Sequence, residues 1–434
     1  MRHGDTIVAL SSGAVPSGVA ILRLSGPLAG QLLKALAGSI PPPRRLTLAA
    51  LRVESEIIDR GLIAWFPAPH SFTAEDCAEL QVHGSAAVVR ALLRHLASHP
   101  AVRLADAGEF TRRAFENGRL DLTEVEGLGD LIAAETEAQR RQAVARLDGA
   151  LSHQLQRWRA ALIEARAEIE ARLDFADEGD VDAVLPTSVV ANIGALRSEI
   201  VATMDTFEHG RIVREGFRVA IAGPPNAGKS SLLNALSKSE LAIVSDEAGT
   251  TRDVREVAME LGGRLVILVD MAGLRETSST AEAEGVRRAR AEIAQADLVL
   301  WLVAPDVAGA HVPPASPAPF WRVATKLDLG AEPAEADAAI SVKTGAGIDG
   351  LMRRLSSTVE AATPKGSGLV SRERDKVALS IASIALAEAI VRVEQLEVMA
   401  EALRRASHAL GALLGEIDAE AVLDRLFAGF CIGK

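Results

Sequence analysis

Phe217-Arg218-Val219-Ala220-Ile221-Ala222 runs directly into Gly223-Pro224-Pro225-Asn226-Ala227-Gly228-Lys229-Ser230, and helix-forming residues follow from Ser231. The first six residues read as an apolar, β-branched strand. The next eight have the spacing G-x-x-x-x-G-K-S, so the segment is strand, glycine-bearing loop, helix. That order is what a phosphate cradle requires. Glycines let backbone N–H groups approach phosphate oxygens, and the helix N-terminus adds its dipole. Lys229 is positioned to neutralise β- and γ-phosphates, and the Ser230 hydroxyl to ligate Mg²⁺. A glycine-rich turn that merely resembles such a loop would lack the strand before it and the helix after it.

The partners of a phosphate loop follow in the order nucleotide chemistry needs. Gly249-Thr250-Thr251-Arg252-Asp253 is polar and glycine-bearing, as a switch loop should be, and Thr251 can complete a magnesium shell. Leu265–Val269 reads as a buried strand ending in Asp270-Met271-Ala272-Gly273. Asp270 would hold magnesium through water, and the Gly273 amide would sense a γ-phosphate. Leu298–Val303 and Arg322–Ala324 read as further parallel strands. The latter leads into Thr325-Lys326-Leu327-Asp328, and Ala339-Ile340 into Ser341-Val342-Lys343. A carboxylate at 328 accepts from guanine N1–H and N2–H, donors that adenine lacks, so GTP is the expected nucleotide. Thr325 stands where GTPases normally carry an asparagine that braces the base loop, which puts affinity, rather than specificity, in question. Leu274 stands where Ras-like proteins place a water-orienting glutamine, so water must be positioned otherwise. Asn226 offers one route, as a ligand for a monovalent cation that supplies positive charge; its other reading is a turn-capping asparagine.

Outward from this segment, the 434 residues suggest about three domains. Hydrophobic residues at 48% and charged residues at 24% describe a globular chain able to build cores. Tyrosine is absent and aromatics reach only 3%, so Leu, Val, Ile and Ala must fill the interior, a mix that leans towards helix. A net charge of -11 argues against coating nucleic acid through overall charge, though a local basic patch needs only a local field. Cys77 and Cys431 are too few for a zinc site or a disulfide framework and fit a cytoplasmic setting. No apolar run reaches membrane-spanning length, and MRHGDTIVAL lacks a signal-peptide core. The ending Cys431-Ile432-Gly433-Lys434 superficially matches a prenylation box, but lysine is not a usual last residue there.

The amino-terminal part mixes strands, Thr6–Leu10, Val19–Leu24 and Glu79–Val82, with a helix running from beyond Gly84 through Leu96. From about Leu120 the pattern becomes long helices. Leu151, Leu155, Trp158, Leu162, Ala165 and Ile169 mark one face, and a second helix runs from about Ser188 to Phe207. Arg372–Phe430 is helical again, with Gly411 and Gly415 as expected breaks. The expected architecture is a multidomain α/β plus all-α chain. It comprises an amino-terminal α/β domain (1–118), a helical domain in two parts (119–216 and 363–434), and an inserted Ras-like P-loop domain (217–362). Two unrelated helical domains are the alternative.

Beyond the phosphate loop, several stretches carry a closer resemblance. They are Asp5-Thr6-Ile7-Val8-Ala9, Gly18–Gly26, Ser71-Phe72-Thr73-Ala74-Glu75-Asp76, Gly108-Glu109-Phe110-Thr111, Leu120-Asp121-Leu122 and Phe430-Cys431-Ile432-Gly433-Lys434. Through these the whole chain resembles the MnmE (TrmE) family of tRNA-modification GTPases. The resemblance implies a folate-binding, dimerising amino-terminal domain and a GTPase domain inserted into a helical one. It implies work with a flavoprotein, MnmG, in a heterotetramer that adds a carboxymethylaminomethyl or aminomethyl group to the wobble uridine of tRNAs. The carbon would come from a tetrahydrofolate derivative, with FAD and NADH on the partner. GTP hydrolysis would be potassium-stimulated, with the two G domains of a homodimer meeting.

By the same resemblance, Asn226 and Thr250 would bind K⁺ through side chains, with Ser245 and Glu247 contributing. Ser230 and Thr251 would bind Mg²⁺. The nucleotide would touch Asn226, Ala227, Gly228, Lys229, Ser230, Ser231, Ser245, Asp246, Glu247, Ala248, Gly249, Thr250, Thr251, Asp270, Met271, Ala272, Gly273, Thr325, Lys326, Asp328, Ser341, Val342 and Lys343. Glu282 would align the nucleophile through water, and Arg252, Asp253 and Arg275 would couple hydrolysis to modification; by itself Glu282 reads as a solvated carboxylate. Arg23, Glu79, Arg119 and Lys434 match folate contacts. Arg119 replaces a usual lysine and keeps the charge without the geometry. Cys431 matches a terminal cysteine implicated in activity, and Cys77 reads as a buried small residue.

Two other functions compete with this one: a regulatory ribosome- or RNA-binding GTPase without modification chemistry, and a folate-binding scaffold with a weakened G domain. The amino-terminal domain and the Cys431–Lys434 tail speak against the first, and Thr325 is what favours the second. Arg112-Arg113, Arg140-Arg141, Arg157-Trp158-Arg159 and Arg404-Arg405 could form tRNA-contacting patches but read as solvated helix faces.

Overall fold

The computed structural model describes residues 4–174, 185–239, 241–243, 256–271, 294–307, 317–330, 335–364, 368–417, 420–430 and 433. They divide into two compact units: Met1–Gly129 with Ser152–Arg159 and Ser407–Lys434, and Asp130–Leu151 with Ala160–Ala406.

The first unit is built on a six-stranded sheet. Its strands are β1 (Thr6–Leu10), β2 (Ser17–Ser25), β3 (Thr47–Val53), β4 (Glu56–Phe66), β5 (Cys77–Gly84) and β6 (Val102–Leu104), in the order β3-β4-β5-β2-β1-β6. Every pair is antiparallel except β1 with β6. Alternation along β2 and β5 sends Leu22, Leu24, Leu80 and Val82 to one face. There they meet Leu33 and Leu36 of α1 (Ala29–Ala37) and Leu92 and Leu96 of α2 (Ala86–Ala97). Each fully buried leucine contributes roughly 1.5–3 kcal/mol. The other face gathers Ile7, Ala9 and Phe110, the last from α3 (Glu109–Glu116). Leu122 and Val125 of α4 (Leu122–Ala133) pack with Leu423 and Phe427 of the last helix, Glu420–Ala428.

Two readings of this unit are corrected by the structure, and one hairpin has no reading. The hairpin β3–β4 is not read from the sequence: its strands mix charged with apolar residues and are joined at Glu54-Ser55 without glycine or asparagine. Glu54 takes the left-handed conformation there (φ 55°). Arg113 is not on a solvated face: it is buried and bonded to Asp5 (2.6 Å), Glu75 (3.0 Å) and Glu109 (3.1 Å). Gly415 does end a helix, at φ 83°, with no room for a Cβ against Phe115 and Leu122. Gly411 breaks nothing and lies within Leu396–Leu414.

In the second unit, α5 (Glu137–Leu147) opens with a reciprocal Thr136/Gln139 capping box. The long helix α6 (Ala150–Asp174) spans both units and buries all six apolar positions read from its period. The expected second helix divides into α7 (Thr187–Met204) and α8 (Phe207–Glu215), because Asp205 and Thr206 interrupt it. A second six-stranded sheet follows. Its strands are β7 (Phe217–Ala222), β8 (Glu256–Leu261), β9 (Arg264–Asp270), β10 (Leu298–Val303), β11 (Phe320–Ala324) and β12 (Ala338–Ala339). The order is β12-β11-β10-β7-β9-β8, parallel except for the edge strand β8. Continuous apolar runs suit strands covered on both faces. On one face Val219, Ile221, Leu268 and Leu300 meet α9 (Lys229–Leu236) and α10 (Ile348–Ala362); on the other lie Ala220, Ala222, Val299 and Trp301. The chain then returns to helix α11 (Glu373–Val391) and to α12 (Leu396–Leu414), whose last residues from Ser407, with α13 (Glu420–Ala428), belong to the first unit. Among the described residues no helix is long and apolar enough to cross a membrane.

Candidate functional site

β7 occupies an interior place in its sheet, with β9 on one side and β10 on the other. The loop after β7 therefore opens at the carboxyl edge of the strands where connections diverge, the usual ligand crevice of an open parallel sheet. Gly223 (φ 145°) has no room for a side chain, since a Cβ would stand 2.6 Å from the Leu302 carbonyl oxygen. Asn226 adopts a left-handed backbone at φ 64° and is exposed, a geometry that suits both a turn asparagine and a ligand presented outward. Gly228 (φ 93°) caps α9, whose first residues are Lys229 and Ser230. Ala227 is fully buried beneath the loop, while Ser231 is exposed one residue further along the helix.

Lys229 is 9% exposed, and its Nζ donates to the carbonyls of Gly223 (2.9 Å) and Pro224 (2.8 Å). The ammonium is thus held within the loop it is expected to serve. Ser230 Oγ donates to Asp270 Oδ2 at 2.8 Å, bringing together a hydroxyl and a carboxylate from two different elements. Hard oxygen donors so paired fit Mg²⁺, which takes few protein ligands and keeps several waters. Met271 follows Asp270 as β9 ends.

The base-recognition segment is equally ordered. Thr325 is 4% exposed, and its hydroxyl donates to the Ala227 carbonyl at 2.7 Å, with the Val303 carbonyl at 3.2 Å. Lys326 takes a left-handed backbone (φ 58°) and pairs with Asp306 at 2.6 Å. Ser341 Oγ donates to Asp328 Oδ1 at 2.7 Å, and Lys343 Nζ lies 3.9 Å from Asp328 Oδ2. The Ser341 hydrogen bond, helped by the charges of Lys343 and Lys326, holds the Asp328 carboxyl below its ordinary value. Asp328 is therefore an ionised acceptor near neutral pH. Val342 is half-buried between Ser341 and Lys343.

In the first unit, Arg23 on β2 and Glu79 on β5 are cross-strand partners, joined at 2.9 Å. The Arg23 guanidinium lies 5.6 Å from the Phe72 ring centre and 5.8 Å from that of Phe110. Phe72 also lines a cleft of about 470 Å³ shared with Phe66, His70, Ser71, Arg119, Leu120 and Glu124. Burial, with the neighbouring Asp121 charge adding to it, pushes the Glu124 carboxyl up. Aromatic walls and a cation fit a flat heterocycle with an anionic tail. Gly433 packs on the end of β1, accepting a hydrogen bond from Ser11 Oγ at 2.7 Å. Cys77 is buried, with its Sγ 3.1 Å from Thr73 Oγ1.

The described structure thus gathers the loop residues, Asp270, Thr325, Asp328 and Ser341 in one domain, and Arg23, Glu79 and Arg119 in the other. Ser245, Asp246, Glu247, Ala248, Gly249, Thr250, Thr251, Arg252, Asp253, Ala272, Gly273, Arg275, Glu282, Cys431 and Lys434 lie outside the described residues. Asp306, His70 and Glu124 are not singled out from the sequence: Asp306 has no motif around it, and His70 and Glu124 lie just outside the stretches Ser71–Asp76 and Leu120–Leu122. Only the fold brings Asp306 to Lys326 and His70 to the cleft that Arg119 and Glu124 line.

Two family descriptions match the chain: "GTP-binding protein TrmE N-terminus" over residues 6–119 and "MnmE helical domain" over residues 122–431. The chain is 52% identical over 437 residues to the tRNA modification GTPase MnmE of Azorhizobium caulinodans, covering 100% of both chains. It is 49% identical over 444 residues to that of Methylobacterium radiotolerans, again covering 100% of both. Among solved structures it is similar to a single-residue variant of Aquifex aeolicus Era bound to GDP·AlF4⁻, at 24% identity and a TM-score of 0.25, covering 39% of this chain and 66% of that one. With both domain families matched in order and full-length relatives at about half identity, the chain belongs to the MnmE (TrmE) family of tRNA modification GTPases.

Proposed function

We propose that this protein hydrolyses GTP to drive addition of an aminomethyl-type or carboxymethylaminomethyl group to the wobble uridine of tRNAs. In this reading it acts as a homodimer with the flavoprotein MnmG, which brings FAD and NADH, and takes its carbon from a tetrahydrofolate derivative. The observation that carries the reading is the coexistence, in one chain of this family, of a phosphate loop with an ionised carboxylate in the base-recognition segment and an arginine-lined aromatic cleft. A stand-alone regulatory GTPase has no use for the second.

Lys229 meets the phosphates, and the helix α9 behind it directs its N-terminal dipole at them. Ser230 would hold Mg²⁺ directly and Asp270 through water, and the ion would neutralise phosphate charge when bound. Asp328 accepts from the guanine edge, while Lys326 and Thr325 shape the loop around the base, backed by Ser341, Val342 and Lys343. Asn226, with Ser245, Glu247 and Thr250, holds K⁺; Thr251 completes the magnesium shell; Glu282 aligns water. Arg252, Asp253 and Arg275 couple this to modification. Arg23, Glu79, Arg119 and Lys434 bind the folate, and Cys431 serves the modification step.

The experiment is GTP turnover by the purified chain in potassium chloride against sodium chloride, with ATP as control. Stimulation by potassium for GTP alone is the expected result. Equal slow rates in both salts would overturn the potassium-dependent switch and raise the folate-scaffold reading.

A further inference from the structure

β9 is a rod with chemistry at both ends. Its carboxyl end is Asp270, bonded to Ser230 in the phosphate loop. Its first residues lie roughly 20 Å away at 3.3 Å per residue. There the Arg264 guanidinium donates to the Thr363 carbonyl (3.2 Å), where the chain leaves α10. Leu265 and Ile267 press on Gly216, where the chain enters β7; a Cβ on Gly216 would stand 3.0 Å from Leu265. The carbonyl of Gly263, in the turn just before β9, accepts from the Ala138 N–H in the first turn of α5 at 3.0 Å.

α5 in turn holds both passages by which the chain enters and leaves the nucleotide domain. Gln142 Nε2 donates to Gly210 O in α8 (3.0 Å) and to Gly368 O in the returning segment (2.5 Å). Gly210 packs closely on the backbone of Gly368 and Val370: a Cβ on Gly210 would lie 2.9 Å from Gly368 Cα and 2.2 Å from the Val370 carbonyl oxygen. One turn along α5, Arg146 is buried against Asp375 at 3.0 Å and donates to the Leu369 carbonyl. One turn back, Gln139 Nε2 donates to the Arg214 carbonyl at 3.1 Å. A single helix therefore reads the far end of β9 and clamps both crossings.

From this we infer that α5 carries the nucleotide state from Asp270, through β9, to the helical segments, and that Gln142 is the positioning residue of that relay. The inference rests on the proposal that the loop binds GTP. Binding that shifts β9 along its axis moves Gly263 against Ala138, and the two glycine carbonyls on Gln142 make the two crossings respond together. Two packed arrangements of one clamp suffice to couple distant sites.

The test uses the full chain and hydrogen exchange of residues 137–147 and 368–375, with GDP against GDP plus aluminium fluoride in potassium chloride. The unsubstituted protein is expected to change protection in both segments between the two conditions. Gln142→Leu removes both donors and is expected to cut that response at least roughly five-fold, the scale of a typical coupling. GTP turnover should meanwhile stay within about two-fold. Gln142→Lys, which keeps N–H donors of similar reach, is expected to restore the response. A response absent from the unsubstituted chain, or undiminished in Gln142→Leu, overturns the relay. So does parallel loss of turnover, melting temperature and response, since Gln142 would then be merely structural. No GTP turnover with an intact exchange response would defeat the hydrolysis reading while leaving the relay standing.

Discussion

The hydroxyl of Thr325 donates to the carbonyl oxygen of Ala227, tying the base-recognition loop to the phosphate loop across 2.7 Å of buried space. An amide is the usual group at this position because such a brace keeps base and phosphate subsites in register. A hydroxyl makes the same link with one donor. Thr325→Val removes it and leaves a buried carbonyl short of its partner, a cost of about 1–3 kcal/mol. GDP affinity should fall by roughly 5- to 150-fold, mainly through faster release. Thr325→Ser should stay close to the parent. Fluorescent-GDP dissociation rates check this, and a valine variant that releases GDP at the parent rate would show the brace to be idle.

Asp328 reports base identity in the same loop. Its Oδ1 accepts from Ser341, which holds the carboxylate ionised, and each oxygen keeps a lone pair for a donor edge. Asp328→Asn places an amide donor against the guanine N–H groups and removes the charge. Each charge-assisted bond is worth about 1.5–3 kcal/mol, so GTP affinity should drop at least roughly ten-fold. Xanthosine triphosphate, with a carbonyl where guanine has its amino group, should lose less than GTP does. Because the folded carboxyl sits below its ordinary value, the parent's preference for GTP over ATP, which carry the same triphosphate, should hold steady as pH falls from 8 to about 5. Competition binding across that range reads both effects.

Local chemistry made much of this legible. The strand before Gly223, the lysine and serine after Gly228, and the carboxylates at 270 and 328 carry their roles in their spacing, because a phosphate loop constrains neighbours in sequence. The long helix α6 was legible from the period of Leu151 to Ile169. What escaped is held by distance. Arg113 looks like half of a solvated pair, and only the packing of α3 on the sheet reveals that Asp5 and Glu75 meet it. The hairpin β3–β4 has no turn signature, and Gly411 sits in a helix whose packing outweighs roughly 1 kcal/mol of glycine propensity. The Thr325–Ala227 bond joins positions 98 residues apart, so no local pattern could announce it.

Acid should find the first unit through Arg103 and Arg113. Burial alone would raise Asp5 and Glu109, but hydrogen bonds from Arg103, joined by Arg113, bring both carboxyls below their ordinary values. Depressed folded values mean stability that is fully present above the unfolded carboxyl values near 4 and lost as pH falls through the folded ones. The transition of this unit should therefore move down in temperature only below about pH 5. Glu109→Gln should lower it near neutrality and flatten the acid dependence, because two arginines lose a buried partner. Calorimetry between pH 7 and 3 checks the slope; an unchanged slope in Glu109→Gln would assign the acid sensitivity elsewhere.

Arg119 tests the cleft. It shares about 470 Å³ with the rings of Phe66 and Phe72 and with Glu124, whose carboxyl is pushed up by burial. A folate ligand brings a flat ring system and an anionic tail, and an exposed guanidinium at the rim meets that tail by paired hydrogen bonds. Arg119→Ala should weaken tetrahydrofolate binding by roughly ten-fold or more, from the loss of about 1.5–3 kcal/mol in charge-assisted contact. Arg119→Lys keeps the charge as a point rather than a fork and should fall between the two. GTP turnover should be untouched in both, since the cleft and the phosphate loop belong to different units. Calorimetric titration with tetrahydrofolate measures the loss directly, and equal affinity in parent and Arg119→Ala would move the folate site away from this cleft.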